Sequence, residues 1–224
     1  MRTLNEAVRV RESVFDRTMK DEVLDLSDLK NGNIDPERFF KETFITDNME
    51  TVFDTAMNKF RNRSGNSIIK LTQAMGGGKT HNMIALGLLA KYPKLRKEIL
   101  EGKYNDVEGE IRTISVTGRE SDMNYGTWGE IAKQLGKKEQ FSEYYSPLQA
   151  PGQTAWINLL ESSTPTLILL DELPPYLNNA KTRTYGQGTL LDIETTAIAN
   201  LLNAINKKEL SNVCLLYTSP SPRD

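Results

Sequence analysis

The fold is decided by residues 67–90, which read SIIKLTQAMGGGKTHNMIALGLLA. The first five residues predict a short strand, and residues 83–90 predict an apolar helix that stops before Pro93. Between them lie three consecutive glycines, which reach backbone dihedrals closed to other residues and let N–H groups approach an anion. The N-terminal end of the following helix adds positive charge. The order of strand, glycine-rich loop and helix therefore predicts a phosphate-binding loop.

The residues of this loop have separate predicted roles. Lys79 can reach the β and γ phosphates of a nucleotide, and the hydroxyl of Thr80 can bind Mg²⁺. The pattern GxxxxGK[ST] requires glycine where this chain has Gln73, and the three glycines can compensate for that departure. His81 either lies at the edge of the nucleotide or packs there without a chemical role. The predicted nucleotide-binding residues are Met75, Gly76, Gly77, Gly78, Lys79, Thr80 and His81.

A second motif occupies residues 166–172, which read TLILLDE. A strand that is apolar throughout is typical of one covered on both faces, and its carboxyl end lies where open α/β sheets bind ligands. Asp171 is the predicted metal-binding residue and Glu172 the predicted base that activates water, while Lys79 is the other predicted catalytic residue. The alternative is an ordinary solvated strand terminus. The phosphate-binding loop upstream favours the catalytic interpretation.

The remaining pattern alternates strands with helices. Further strands are predicted at residues 111–117 and 213–217, and further helices at residues 47–60, 127–135, 155–160 and 193–205. Asp47 with Glu50 resembles a capping pair, and Thr127 with Glu130 has the spacing of a capping box. We therefore expect an α/β fold in which a parallel sheet has helices on both faces.

These motifs resemble those of a known protein class. Residues 76–80 resemble the Walker A motif and residues 167–172 the Walker B motif of P-loop NTPases with a catalytic glutamate, the AAA+ and RecA-like division. Residues 40–46, 75–81 and 171–177 resemble a bacterial family of large ATPases of unknown function, often encoded near DNA methyltransferases in phage-defence islands. The resemblance implies that this chain is the N-terminal ATPase part of a longer protein. A polar sensor residue normally follows the strand at 213–217, but that role is not carried over to Thr218.

The organisation of the chain follows from these assignments. Residues 1–63 are predicted to be an N-terminal helical segment packing on the core, with Asp35 and Pro36 opening one of its helices. Residues 64–218 are predicted to be a P-loop ATPase core that is incomplete at its C-terminus. Residues 219–224 are expected to be a disordered tail foreign to the domain, because Pro220 and Pro222 suit neither a strand nor a helix.

Composition excludes several kinds of chemistry. The 224 residues carry 28 Lys and Arg against 30 Asp and Glu, a net charge of −2, which argues against nucleic-acid binding through bulk charge. Cys214 is the only cysteine and His81 the only histidine, so an internal disulfide and a cysteine-based zinc cluster are excluded. No apolar run approaches the ~20 residues of a membrane span, and the N-terminus lacks a signal core. We expect a cytoplasmic protein without a membrane partner.

Other residues have two interpretations each. Arg119 either contacts the γ phosphate or forms a local ion pair. Tyr125 and Trp128 either stack on a base or pack in the core. Lys181 and Arg183 either contact DNA phosphates or lie in a solvated loop, and two cations are too few to predict nucleic-acid binding.

The favoured hypothesis is binding of ATP and its Mg²⁺-dependent hydrolysis. ATP is preferred to GTP because the chain has no Asn-Lys-x-Asp guanine-reading motif. Turnover would drive conformational work in a larger, DNA-linked defence protein, with DNA, DNA-modifying proteins or a second copy of the chain as partners. One alternative is a DNA-stimulated translocase or helicase. Another is a nucleotide sensor with little turnover, which Gln73 favours slightly and Glu172 opposes.

Overall fold

The computed structural model describes residues 24–72, 78–119 and 123–218, and within them the chain forms a four-stranded parallel sheet. The order across the sheet is β1-β6-β3-β2, so the last of the described strands lies between β1 and β3. In the register, Ile168 lies opposite both Ile114 and Leu215. The strands are β1 Ile68–Leu71, β2 Arg112–Thr117, β3 Thr166–Asp171 and β6 Val213–Thr218. A separate antiparallel pair contains β4 Thr184–Tyr185 and β5 Gly188–Thr189.

Helices cover both faces of this sheet, as predicted. The helices are α1 Leu26–Asn31, α2 Pro36–Glu42, α3 Asp47–Asn62, α4 Lys79–Lys91, α5 Pro93–Ile99, α6 Gly126–Gln134, α7 Gln153–Leu160, α8 Leu173–Ala180 and α9 Leu190–Ile205. Short 3₁₀ helices span Lys138–Tyr144 and Lys208–Leu210. None of the helices that the structure describes has the length and apolar character needed to span a bilayer.

The central strand β3 shows how the two layers are divided. Leu167 and Leu169 point into a core built with helices α1 to α5, whereas Ile168 and Leu170 point into a core built with α6 to α9. Successive side chains of a strand face opposite sides of a sheet, so a strand with a core on each side must be apolar at every position. This burial explains the uninterrupted apolar run that predicted β3.

The N-terminal helices share the first of these cores. Phe53 and Met57 of α3 are fully buried in the same cluster as Met83 of α4. Helix α1 approaches α4 closely, because a Cβ on Gly87 would lie 2.3 Å from a side-chain carbon of Leu29. Residues 24–62 therefore pack both on α4 and directly on the sheet, since α1 contacts β2 and α3 contacts β6, while residues 1–23 and 219–224 of the predicted segments lie outside the described residues.

Two predicted helix caps are wrong, and the side chains explain why. Helix α3 is capped by Thr46, whose hydroxyl accepts from the backbone N–H of Met49, so Asp47 is already inside the helix. Helix α6 begins at Gly126 without a side-chain cap, because the hydroxyl of Thr127 donates to Glu194 instead. The prediction of Asp35 as a cap followed by Pro36 is confirmed.

Cys214 lies in β6 and is completely buried, as its apolar surroundings predicted. Burial raises the pKa of its thiol to about 12, because the apolar interior disfavours the thiolate. The side chain therefore behaves as a small apolar residue of the core.

Candidate functional site

Two predicted site residues meet at the carboxyl end of β3. The hydroxyl of Thr80, in the first turn of α4, donates a hydrogen bond of 2.6 Å to Oδ2 of Asp171, the last residue of β3. The two residues are 91 positions apart in the chain. Since α4 follows β1 and Asp171 ends β3, the contact brings together the two motifs that the sequence separates.

Asp171 is held by further donors. Its Oδ1 accepts from the hydroxyl of Thr218 at 2.7 Å and from the backbone N–H of Glu172 at 2.9 Å. The residue is only 3% exposed. Burying a carboxylate is costly unless donors surround it, and here both oxygens have them. The position of Asp171 is therefore fixed by the surrounding structure. Thr218 is one of its partners, although the sequence motifs assigned no role to Thr218.

Helix α4 presents an uncapped N-terminus beside this carboxylate. Gly78 precedes the helix in the left-handed conformation, with φ 70°, and none of the described side chains caps the helix. The first turn contains Lys79 and no acidic residue. A bare helix N-terminus carries partial positive charge and N–H groups without helical partners, which suits an anion. Met75, Gly76 and Gly77 of the predicted loop lie outside the described residues.

Glu172 differs sharply from its neighbour Asp171. Its backbone is left-handed, with φ 50°, which is uncommon for a residue with a side chain. Its carboxylate forms a two-point ion pair with Arg119, in which Nη2 of Arg119 lies 2.9 Å from Oε1 and Nε lies against Oε2. This pairing raises the pKa of the Arg119 guanidinium. The interpretation of Arg119 as an ion-pair partner is therefore confirmed, and its partner is the predicted base.

Gly118 explains how β2 and α8 come so close. Its backbone N–H donates to the carbonyl of Asp171 at 2.8 Å, continuing the β2–β3 pairing by one residue. A Cβ at this position would lie 1.9 Å from the carbonyl oxygen of Glu172, a distance that no side chain can adopt. Glycine is therefore required for the close approach that places Arg119 against Glu172.

His81 points away from Asp171 and toward α2. Its ring stacks on Phe39 with the centroids 4.5 Å apart, and its Nε2 lies 2.9 Å from the hydroxyl of Thr43. Partial burial lowers the pKa of the imidazole. Consecutive residues of α4 therefore link the helix to different parts of the fold, Thr80 to β3 and His81 to α2.

The sequence reasoning missed a buried carboxylate behind α8. Glu194 of α9 is fully buried and accepts hydrogen bonds from the backbone N–H and hydroxyl of Thr127, each at 2.9 Å, and from the hydroxyl of Tyr176. Burial raises its pKa. The buried positions 190, 194, 197 and 201 have helical spacing, which could have placed Glu194 on the apolar face. The contact ties α8 to the start of α6.

The remaining candidates fall outside this cluster. Trp128 is fully buried, which supports its interpretation as a core residue. Tyr125 stacks on Tyr145 with the centroids 4.3 Å apart. Lys181 is exposed in the loop after α8, and Nη2 of Arg183 lies 3.4 Å from the hydroxyl of Tyr185 in the same loop.

The oxygen atoms of Thr80 and Asp171 suit a hard cation that arrives already bound to a phosphate group. Mg²⁺ prefers oxygen atoms and is commonly held by one or two protein groups together with substrate phosphates. Thr80 and Asp171 supply a hydroxyl and a carboxylate. Within the part of the chain that the structure describes, no group of three or more His, Cys, Asp or Glu could hold a metal. Thr80 and Asp171 therefore fit Mg²⁺ bound to a polyphosphate.

The family comparison covers the first part of this arrangement. The family model of the DUF499 N-terminal domain matches residues 2–125, more than half of the 224 residues. No curated protein matches the chain. The matched residues include Lys79, Thr80 and Arg119 but end before Asp171 and Glu172. The chain therefore belongs to the DUF499 family through its N-terminal domain.

Proposed function

We propose that this chain binds Mg-ATP and hydrolyses it, as a P-loop NTPase of the catalytic-glutamate division. The observation that carries the proposal is the hydrogen bond between Thr80 and Asp171. It joins the residue after the predicted phosphate-binding lysine to the carboxylate at the end of a buried parallel strand. Ligands of open α/β sheets bind at this edge.

Each residue has a role in the proposal. The N-terminus of α4 and the ammonium of Lys79 bind the phosphates, and Thr80 and Asp171 hold the metal that neutralises them. Glu172 accepts a proton from the attacking water, whose oxygen forms a bond to the γ phosphorus as the bond to the leaving oxygen of ADP breaks. The products are ADP and inorganic phosphate. In the parent protein this turnover drives conformational work, with DNA or a DNA-modifying protein as the partner.

Substitution of Lys79 tests nucleotide binding. Lys79→Ala removes a charge-assisted contact to phosphate, so we expect Mg-ATP to bind about 10- to 100-fold more weakly, the scale of about 1.5–3 kcal/mol for such a contact. The measurement is a titration with a fluorescent ATP analogue. Lys181→Ala, which removes an exposed lysine from the loop after α8, is the matched control. Equal affinity in Lys79→Ala and the wild type would refute the phosphate site.

A second candidate function is a nucleotide sensor with little turnover. The ion pair between Glu172 and Arg119 favours it, because a carboxylate engaged by a guanidinium is not free to orient water. Single-turnover hydrolysis measured beside ATP affinity, with and without DNA, separates the two functions. Tight binding without turnover in both conditions favours the sensor. Turnover that rises with DNA favours a motor.

A further inference from the structure

Phe44 is the most exposed large apolar side chain in the described residues. It is 78% exposed, whereas Tyr92, Tyr125 and Tyr185 are each close to 38% and carry a polar hydroxyl. Single exposed apolar residues are common on protein surfaces, so the neighbours of Phe44 decide whether its ring has a binding role.

The backbone around Phe44 is held firmly. The preceding residue, Thr43, ends α2 with its backbone N–H bonded to the carbonyl of Phe39, and Thr46 caps α3 two residues later. Ile45 packs against the first core. Phe44 thus lies in a short connection between two anchored helices, so its exposure is a property of the packed fold and its position is set before any ligand binds.

Thr43 connects this segment to the proposed phosphate site. Its hydroxyl lies 2.9 Å from Nε2 of His81, which directly follows Thr80 in α4. Residues adjacent in a helix point about 100° apart, so Thr80 reaches Asp171 while His81 reaches α2. His81 and the connection that carries Phe44 thus lie beside the end of α4 that holds Thr80, and a triphosphate bound at Thr80 and Asp171 would bring its base to them if its nucleoside end extends toward α2.

The hydrogen bonds of Thr43 also fix which ring nitrogen of His81 carries the proton. The single hydroxyl hydrogen of Thr43 donates to the carbonyl of Phe39 at 2.7 Å, because a carbonyl can only accept. Nε2 of His81 must then be the donor to Thr43, and in the neutral imidazole Nδ1 remains an acceptor. Stacking on Phe39 holds the ring in this orientation.

We propose that Phe44 and His81 bind the base of the nucleotide: Phe44 stacks on the purine, and Nδ1 of His81 accepts a hydrogen bond from the amino group of adenine. Adenine presents an amino donor where guanine presents a carbonyl acceptor, so an acceptor at this place selects adenine. This inference rests on the proposed function, because it assumes that the phosphates bind at α4.

Phe44→Ala tests the stacking part. Base–aromatic stacking is typically large enough that we expect the dissociation constant for Mg-ATP to rise at least about fivefold. The affinity for inorganic triphosphate with Mg²⁺, which has no base, should stay unchanged. Tyr92→Ala is the control. Tyr92 is an exposed aromatic residue at the other end of α4, about 20 Å from Lys79 along the helix axis.

His81→Phe tests the selectivity part at pH 8, where a histidine is neutral. The substitution keeps an aromatic ring to stack on Phe39 and removes the acceptor. We expect the wild type to bind ATP more tightly than GTP, and the variant to reduce that ratio at least about threefold, the scale of one hydrogen bond. Circular dichroism of each variant checks that the fold is retained.

The outcomes separate the two proposals. If the wild type binds neither ATP nor triphosphate, the phosphate site and the base site are refuted together. Binding of triphosphate as tightly as ATP would refute the base site alone, as would an unchanged ATP affinity in Phe44→Ala. Equal weakening of ATP and triphosphate in Phe44→Ala would show that the residue supports the phosphate site and would overturn its role in stacking. An unchanged ATP-to-GTP ratio in His81→Phe would overturn the selectivity.

Discussion

The end of β3 and the start of α8 are adjacent in the chain but are built in opposite ways. Asp171 is 3% exposed, and three hydrogen bonds hold its two oxygens. Glu172 has a left-handed backbone, and its side chain, one third exposed, is held by an ion pair with Arg119. Buried hydrogen-bonded groups are costly to move, whereas exposed ion pairs contribute little. The difference suits a fixed metal-binding carboxylate beside a base that can be released.

Glu172→Gln tests most directly whether Glu172 acts as a base beside the metal-binding Asp171. If Glu172 is the base, the amide cannot accept the proton, and we expect hydrolysis to fall at least ~100-fold while Mg-ATP binding is kept. Phosphate release and ATP affinity are measured on the same preparation. Glu209→Gln, at an exposed position of the last 3₁₀ helix, is the control. Turnover equal to that of the wild type would exclude the role of Glu172 as the base.

Asp171→Ala and Glu172→Ala compare the stabilities of the two positions. Removing the Asp171 carboxylate leaves the hydroxyls of Thr80 and Thr218 without their acceptor and takes away one of the two acceptors of the Glu172 N–H, so we expect the free energy of unfolding to fall by about 3 kcal/mol. Removing the Glu172 carboxylate should change it by less than about 0.5 kcal/mol, as for a surface substitution. Urea unfolding followed by circular dichroism measures both. Similar losses in the two variants would contradict the contrast.

Gly118→Ala tests the close approach that places Arg119 beside Glu172. The added methyl group cannot fit against the carbonyl of Glu172, so β2 and the start of α8 must separate. We expect a loss of about 1–3 kcal/mol in unfolding free energy, the usual cost of overpacking. Gly152→Ala, at a glycine with open space around its Cβ position, is the control in the same urea assay. Equal stability of the two variants would show that the approach is not required.

Arg119→Ala has the smallest expected effect, but the direction of the change in hydrolysis rate separates the two interpretations of Arg119. An exposed ion pair holds its partners by at most about 1 kcal/mol, so releasing Glu172 should raise steady-state hydrolysis by up to about fivefold. A fall in hydrolysis would instead favour the alternative interpretation, in which Arg119 contacts the γ phosphate. Lys133→Ala, which removes an exposed lysine beside Glu130, serves as the control.

The elements that local sequence determines were predictable. The uninterrupted apolar run predicted β3, and its register with β2 brought Asp171 to the sheet edge. The helix after the glycine-rich stretch was predicted because its apolar residues and Pro93 are local signals. Asp35 was identified as a cap for the same reason, since a cap bonds to residues only two or three positions away.

Contacts between distant segments were not predictable. The pairing of Arg119 with Glu172 depends on β2 lying beside β3, and the sequence does not state which strands are neighbours. Thr127 was assigned to a capping box because its true partner, Glu194, lies 67 positions away. His81 was expected near the nucleotide, but its stacking on Phe39 could be known only once α2 was placed against α4.

The position of β6 has a consequence for the order of assembly. Within the described residues β1 pairs with β6 alone, and β6 follows all the other described strands in the sequence. The segment that leads into α4 therefore cannot join the sheet until residues 213–218 have been made, although it lies in the first half of the chain. Pairings over such long sequence separations form slowly, because loop-closure entropy must be overcome first. During translation, β2 and β3 can pair before residues 213–218 are made, and α4 can already pack against both of these strands, so β1 is the strand whose entry into the sheet depends on β6.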